Sequence, residues 1–173
     1  MSALPNLVED GRFQPALSEL IGHLRTELDA AGGPGLCFCG LVPAGQPPLG
    51  VMNCDTGACG VAWIAAGAVF PTYSFPERVE GPQGFDPTCR MSLGMDITIG
   101  VARCFPRPRG REPRPDEQAY FESTRLVLSD MRAMLRAMER PIRNGSMQVV
   151  PVNWGAMEPT SGATGGIWTA MIG

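Results

Sequence analysis

The sequence has no lysine and only one histidine, His23, among its 173 residues. Walker-type phosphate loops, Schiff-base catalysis and lysyl nucleophiles all need the amine of a lysine side chain, so each is excluded. Zinc proteases of the HExxH type, C2H2 zinc fingers and facial-triad iron sites need more than one imidazole and are excluded as well. We therefore expect a protein that is not an enzyme and that holds no cofactor.

The net charge is also small, because 14 arginines are set against 17 acidic residues, which gives −3. Such a balance directs the chain neither to nucleic acid nor to an acidic membrane surface. Residues 1–12 lack the apolar segment of a secretory signal, and the most apolar run, Val61–Phe70, is about half the length that spans a bilayer. The sequence predicts a soluble protein made in a cytoplasm, without a membrane partner.

Charged side chains are nearly absent from two long stretches. Asp55 is the only one between Ala30 and Pro76, and Glu158 is the only one after Arg143. Because an ordinary solvated surface is about a quarter or more charged, these stretches indicate faces covered by another copy of the chain. The alternative is that they are small neutral loops in water, which need no partner.

Apolar periodicity predicts two helices, over about 13–31 and 116–140, with Pro141 ending the second. Strands are predicted over about 36–42, 59–70, 95–103, 147–154 and 167–172. The chain contains 22 glycines and 17 prolines, which indicate long loops between these elements, including 71–89. The order predicts one α+β domain, 1–173, in which an antiparallel sheet of about four to five strands carries both helices on one face.

Six cysteines are the strongest chemical signal, and they are Cys37, Cys39, Cys54, Cys59, Cys89 and Cys104. The spacings CxC and Cx4C differ from the CxxC knuckles of structural zinc sites. Cys37 and Cys39 alternate along a strand and would lie on one face, which suits small buried thiols in a cytosolic core. Burial as thiols is the favoured interpretation, and a metal or a disulfide in some pair is the alternative.

The other candidate sites are weaker. A cysteine nucleophile would need His23 as its base, but His23 lies in the first amphipathic helix and is predicted to be a surface or boundary histidine. Residues 162–166 resemble a phosphate loop only in glycine content, since no lysine or helix follows. The loop around 107–114 has a local excess of arginine that could contact phosphate, or that forms a solvated or salt-bridging arm towards a neighbouring subunit.

Several short stretches occur in an order that resembles a known family. They are 59–63 (CGVAW), Phe70-Pro71, Phe75-Pro76, 100–106 (GVARCFP), 115–118 (PDEQ), 129–134 (SDMRAM), 136–138 (RAM) and 165–169 (GGIWT). Together they resemble the tail terminator proteins of long-tailed (siphovirus) actinobacterial phages, over roughly residues 59–173. None of these stretches is catalytic.

The resemblance implies a small α+β virion protein of the neck region, assembled in the host cytoplasm. It implies a ring, a hexamer, that caps the tail tube, ends its polymerisation and joins it to the head-to-tail connector or head-closure protein. DNA would be present only as the genome passing through the lumen. The residues alone agree with this function, because a ring subunit needs neutral margins and different contact patches on its two sides.

The candidate contact residues lie in three loops. Those assigned to subunit or connector contact are Phe70, Pro71, Tyr73, Phe75, Arg107, Arg109, Arg111 and Arg114. Those assigned to the tube or lumen side are Thr160 and Thr164. Two alternatives remain at this point: a small metal or redox protein built on Cys37, Cys39, Cys54 and Cys59, and another ring protein of the phage neck.

Overall fold

The structure, a computed structural model, describes residues 11–43, 47–52, 54, 59–81, 90–105, 117–160 and 162–173. Its helices are α1 (Phe13–Ala30) and α2 (Glu117–Asn144). Its strands are β1 (Leu36–Val42), β2 (Gly60–Thr72), β3 (Ser92–Cys104), β4 (Val149–Thr160) and β5 (Ala163–Ile172). A 3₁₀ turn, Leu49–Val51, lies between β1 and β2. The predicted order of elements and the α+β class are confirmed.

The strands form one sheet in the order β1-β2-β3-β5-β4. Neighbouring strands are antiparallel except β1 and β2, which run parallel, so the sheet is mixed and the predicted antiparallel sheet is wrong in this pair. Parallel pairing requires the chain to return from the end of β1 to the end of the sheet at which β1 begins, and the connection over 43–59 is long enough for this. An antiparallel pair would need only a short hairpin. The stretch predicted as a loop between the last two strands is mostly strand.

One face of the sheet is covered by both helices, as predicted. Alternate residues of β3 point into this core, namely Met95, Ile97, Ile99 and Val101. They pack against Leu20 and Leu24 of α1 and against Met134 and Met138 of α2, all of them fully buried. The period of two along β3 and the helical period of α1 and α2 therefore produce one shared core.

The second helix is longer than predicted. Pro141 lies inside α2, which continues to Asn144, so the prediction that this proline ends the helix is wrong. A proline so close to the end removes only one backbone hydrogen bond, and its ring is buried. The helix stops before Gly145, whose φ of 68° lies in the left-handed region that glycine adopts without strain.

The other face of the sheet carries a smaller apolar cluster, which extends from β1 and β2 to Ala163 and Ile167 of β5 and Met157 of β4. There Trp63 lies over Gly100, where an added Cβ would be 2.1 Å from the indole ring. Leu49 and Met52 of the connection pack onto the same small cluster. Within the described part of the chain, the exposed residues on this face include Asn153 and Thr169, which are polar but uncharged.

Neither helix combines the length and the apolar character needed to cross a bilayer, as far as the described part of the chain goes.

Candidate subunit-contact surfaces

One flank of α2 holds an exposed apolar row. Its members recur at every seventh position, and they are Phe121, Leu128, Leu135 and Ile142. Phe121 is 63% exposed and Leu128 and Ile142 are each 45% exposed, whereas Leu135 packs partly against the core. With about 3.6 residues per turn, this spacing aligns the side chains along one flank, as in a coiled coil. We call these residues the α2 row.

The α2 row faces away from α1. Arg136 and Arg140 of α2 both donate hydrogen bonds to Glu27 of α1, so they mark the side on which α1 lies. Helical geometry places the row roughly a quarter of a turn or more from these arginines. Leu128 lines a groove with Trp154 of β4 and Thr164 of β5, so this part of the row lies on the side of the helix next to those strands. The exposure of Phe121, Leu128 and Ile142 shows that α1 does not cover them.

The strand β4 forms one margin of the sheet. It pairs with β5 along one side, and no other described strand pairs with its second side. Between Pro151 and Pro159 lie seven residues, with Glu158 as their only charge, and Val152 is 59% exposed. An unpaired strand of this kind presents free backbone donors and acceptors to another chain.

The strand β1 forms the opposite margin. It pairs with β2 alone among the described strands, it is seven residues long, and it contains no charged residue. Leu41 is 45% exposed there. The exposed Arg25 side chain of α1 donates a hydrogen bond of 3.1 Å to the carbonyl oxygen of Cys39 on this strand.

Two disulfides close one end of the sheet. Cys37 pairs with Cys59, and Cys54 pairs with Cys104, with Cα–Cα distances of 5.5 and 5.4 Å. The prediction of buried thiols is therefore wrong for these four residues, because the topology brings them together at the start of β1 and β2 and the end of β3. Cys89 lies outside the described residues.

The candidate metal set is not assembled. Cys37 and Cys59 bond to each other, Cys54 bonds to Cys104, and Cys39 is left free on the core side of β1. A bulge between Leu36 and Phe38 breaks the alternation that was expected to place Cys37 and Cys39 on one face. Within the described residues, no group of three or more His, Cys, Asp or Glu is placed to hold a metal ion.

The free thiol of Cys39 and the imidazole of His23 lie in different surroundings. Burial raises the pKa of the Cys39 thiol, although the Arg25 guanidinium opposes this shift. The thiol is therefore protonated at neutral pH and is a poor nucleophile. His23 lies one turn from Glu19 on α1, with 3.4 Å between its Nε2 and Oε1 of Glu19, as expected for a helix-surface pair.

The predicted contact loop at 70–75 lies at the other end of the sheet, where β2 ends. Phe70 is buried, and the Arg78 guanidinium lies 4.3 Å from its ring centroid. The Phe70 side chain therefore stabilises the fold of its own subunit. Pro71, Tyr73 and Phe75 are partly exposed. A concavity of about 790 Å³ opens beside Phe75 at this end.

The predicted tube-side residues lie at the disulfide end. Thr160 is the last residue of β4, and Thr164 is the partner of Arg103 in the β3–β5 ladder. Thr164 lines a groove of about 190 Å³ between α2 and the β4–β5 hairpin, together with Trp154. The indole N–H of Trp154 has no acceptor among the described residues. The candidate arginines Arg107, Arg109, Arg111 and Arg114 lie outside the described residues.

A buried ion pair, absent from the sequence predictions, joins β3 to α2. Nε and Nη2 of Arg103 on β3 each donate to the carboxylate of Asp130 on α2, both at 2.9 Å, and Nη1 donates to the carbonyl oxygen of Pro34. Both ionic side chains are almost fully buried. A Cβ on Gly60 would lie 2.7 Å from Nη1 of Arg103, so this glycine makes room for the guanidinium.

Glu27 joins α1 to α2. Burial by itself would raise the pKa of the Glu27 carboxyl, but hydrogen bonds and charges from Arg136 and Arg140 outweigh it and lower the pKa below its ordinary value of 4.5. The carboxylate is buried, while each arginine is about half exposed, 50% and 47%. Solvent therefore screens part of this attraction.

The Glu27 contact predicts a pH dependence of stability. We expect Glu27→Gln to lower the free energy of unfolding at pH 7 by about 1–2 kcal/mol. Since the folded carboxyl has the lower pKa, its contribution is present above the unfolded pKa and is lost as the pH falls below it. Urea unfolding of both proteins from pH 7 to pH 3 should therefore give curves that converge in acid.

The control for this prediction is Glu139→Gln, which removes an exposed pair with Arg143. It should change stability by less than about 0.5 kcal/mol at every pH. If the difference in the free energy of unfolding between wild type and Glu27→Gln stayed constant into strong acid, the effect could not be assigned to this carboxylate.

A comparison with known protein families finds no model that matches the chain, and a search of curated proteins finds no relative with significant sequence similarity.

Proposed function

We propose that this chain is a virion structural protein, the tail terminator of a long-tailed phage, which works by docking and not by a reaction. Copies of it form a ring, a hexamer by its resemblance to the family. The ring caps the tail tube, ends polymerisation of the tube and joins the tail to the head-to-tail connector or head-closure protein. The genome passes through its lumen.

One observation supports this proposal above the others. The two margins of the sheet, β1 and β4, are both unpaired among the described strands and together contain one charge, Glu158. Beside the β4 margin runs the exposed α2 row. A protein that worked as a monomer would be expected to protect such margins and to keep apolar residues scattered.

The difference between the two margins favours a ring over a two-fold dimer. The β4 margin has the α2 row next to it, whereas the β1 margin has the polar flank of α1, including Arg25. A contact between unlike patches is heterologous, and repeating it around an axis closes a ring. A two-fold dimer would use one margin and leave the other in water.

The remaining contacts of a terminator ring would be made at the ends of the sheet. Pro71, Tyr73 and Phe75 lie at one end, while Thr160 and Thr164 lie at the other. We assign the first end to the connector and the second to the tube. The arginine loop begins after Phe105, at the same end as Thr164, and its arginines suit bidentate contacts with carboxylates of a neighbour.

The disulfides are compatible with a virion protein. The reducing cytoplasm keeps cysteines in the thiol form, whereas disulfides persist in secreted proteins and on virions. Two cross-links at one end of a small sheet therefore suit a chain that is assembled in a cell and works in a particle released from it.

An assembly assay with the tail tube protein of the same phage tests the proposal. Tube protein polymerised with the wild-type chain should give tubes of limited length with the chain at one end, as seen by electron microscopy. Leu128→Arg, in the α2 row, should abolish this effect because it places a charge in the subunit contact. Val69→Arg, which adds the same charge at an exposed site outside the α2 row, is the matched control and should cap normally. Tubes of unchanged length with wild-type chain would overturn the proposal.

A further inference from the structure

We infer that neighbouring copies join by strand addition, in which β1 of one copy pairs with the 152–158 segment of β4 in the next. The sheets of the ring would then be continuous across each subunit boundary. This inference rests on the proposed function, since it names the contact that builds the ring.

The two segments match in length. The segment between Pro151 and Pro159 has seven residues, as does β1. Bulges leave the two ladders regular over 38–42 and 153–157. At roughly 3.4 Å per residue, each of these stretches presents about 17 Å of regular backbone on the side that no described strand pairs. Both prolines lack an N–H and interrupt the ladder, so they limit pairing to the segment between them.

The chemistry of the two margins also allows pairing. Glu158, at one end of the β4 segment, is the only charge in either strand, so almost no charge has to leave water. In the isolated subunit the Cys39 carbonyl accepts from Arg25, whose side chain is long and exposed. A backbone N–H of the neighbour can replace that donor, and the guanidinium can return to water.

The side chains beside the margins are complementary. Cys39 faces the core side of β1, and Leu41, two residues further along the strand, faces the same side by the alternation of side chains. If β1 lies against β4, the exposed Leu41 reaches the side of the sheet on which the α2 row lies. Leu41 and Leu128, each 45% exposed, would then be covered together.

A second copy of this chain is the occupant that explains both margins. Each copy has one β1 margin and one β4 margin, on opposite sides of the same sheet. Pairing them uses both in every subunit of a closed ring. A different protein adding a strand to β4 would leave the β1 margin unpaired in each copy.

The experiment combines subunit number with hydrogen exchange. The complex is prepared from the wild-type chain, alone and with the tail tube protein, and its mass is measured by native mass spectrometry. Amides in 36–42 and 152–158 should exchange at least about tenfold more slowly in the ring than in the monomer. Leu41→Arg and Val152→Arg should each shift the population to monomers. Val69→Arg, at an exposed site away from both margins, should leave the ring intact.

Each outcome decides a separate point. A ring that survives Leu41→Arg and Val152→Arg, with no added protection in 36–42 or 152–158, would overturn strand addition and leave the proposed function standing. A wild-type chain that stays monomeric both alone and with tube protein would overturn the ring itself. Circular dichroism of each variant shows whether the monomer is folded, and the exchange data on the wild type do not depend on any variant.

Discussion

Asp130→Asn is expected to lower the free energy of unfolding by about 3–5 kcal/mol, because it leaves the Arg103 guanidinium charged, buried and without its counter-ion. The carboxylate accepts two hydrogen bonds from Arg103, each of 2.9 Å, and both side chains are shielded from solvent. A domain of this size is usually stable by about 5–15 kcal/mol, so the variant should be close to unfolding at 37 °C.

Urea unfolding followed by tryptophan fluorescence measures this effect. The control is Glu122→Gln, which removes an exposed pair with Arg125 and should change stability by less than about 0.5 kcal/mol. The double variant Arg103→Met with Asp130→Leu should recover most of the loss, because neither buried charge remains. Asp130→Asn with wild-type stability would show that the pair does not hold β3 to α2.

Removal of the disulfides should have the second large effect. The Cys54–Cys104 bond spans 50 residues and the Cys37–Cys59 bond spans 22, so chain entropy predicts contributions of about 4 and about 3 kcal/mol. The two closed segments overlap, and the double loss should be smaller than the sum. The replacement of Cys54 and Cys104 by serine should therefore destabilise more than the replacement of Cys37 and Cys59.

The measurement is urea unfolding with and without dithiothreitol. Wild type should lose stability on reduction, and Cys39→Ser should lose the same amount, since Cys39 is not cross-linked. Alkylation of the denatured, unreduced chain should leave four cysteines unlabelled. Labelling of Cys54 or Cys59 in that experiment would contradict the pairing, and zinc bound to the purified chain would favour a metal site instead.

Elements with a regular period were predictable from the sequence. The alternation in β3 and the helical spacing in α1 and α2 each describe a local pattern, and local patterns identify the element and its buried face. The helices therefore lie on one face of the sheet, as predicted. The limits of β4 and β5 were harder to predict, because the residue types of Thr160, Thr164, Gly165 and Gly166 are typical of loops, whereas these residues pair here as strands.

Features that depend on distant contacts were not predictable. Arg103 and Asp130 are 27 residues apart, and nothing local shows that they meet. The parallel direction of β1, and with it the pairing of Cys37 with Cys59, depends on the path of 43–59 and not on any periodicity. The expectation of free thiols failed for this reason.

The apolar spacing that contains the α2 row was used only to predict a helix over about 116–140, which stops before Ile142. Phe121, Leu128, Leu135 and Ile142 recur every seven residues, whereas the buried Met134 and Met138 lie on another side of the helix. A helix with apolar residues on two sides has one side for its own core and a second for another chain. That second side is a signal for assembly that sequence analysis can use.

Native mass spectrometry of the complex formed with the tail tube protein tests the central claim most directly. The proposed function predicts a discrete species containing a closed ring of this chain, six copies by family resemblance, that disappears in Leu128→Arg. A single copy of the chain in every species, with or without tube protein, would contradict it.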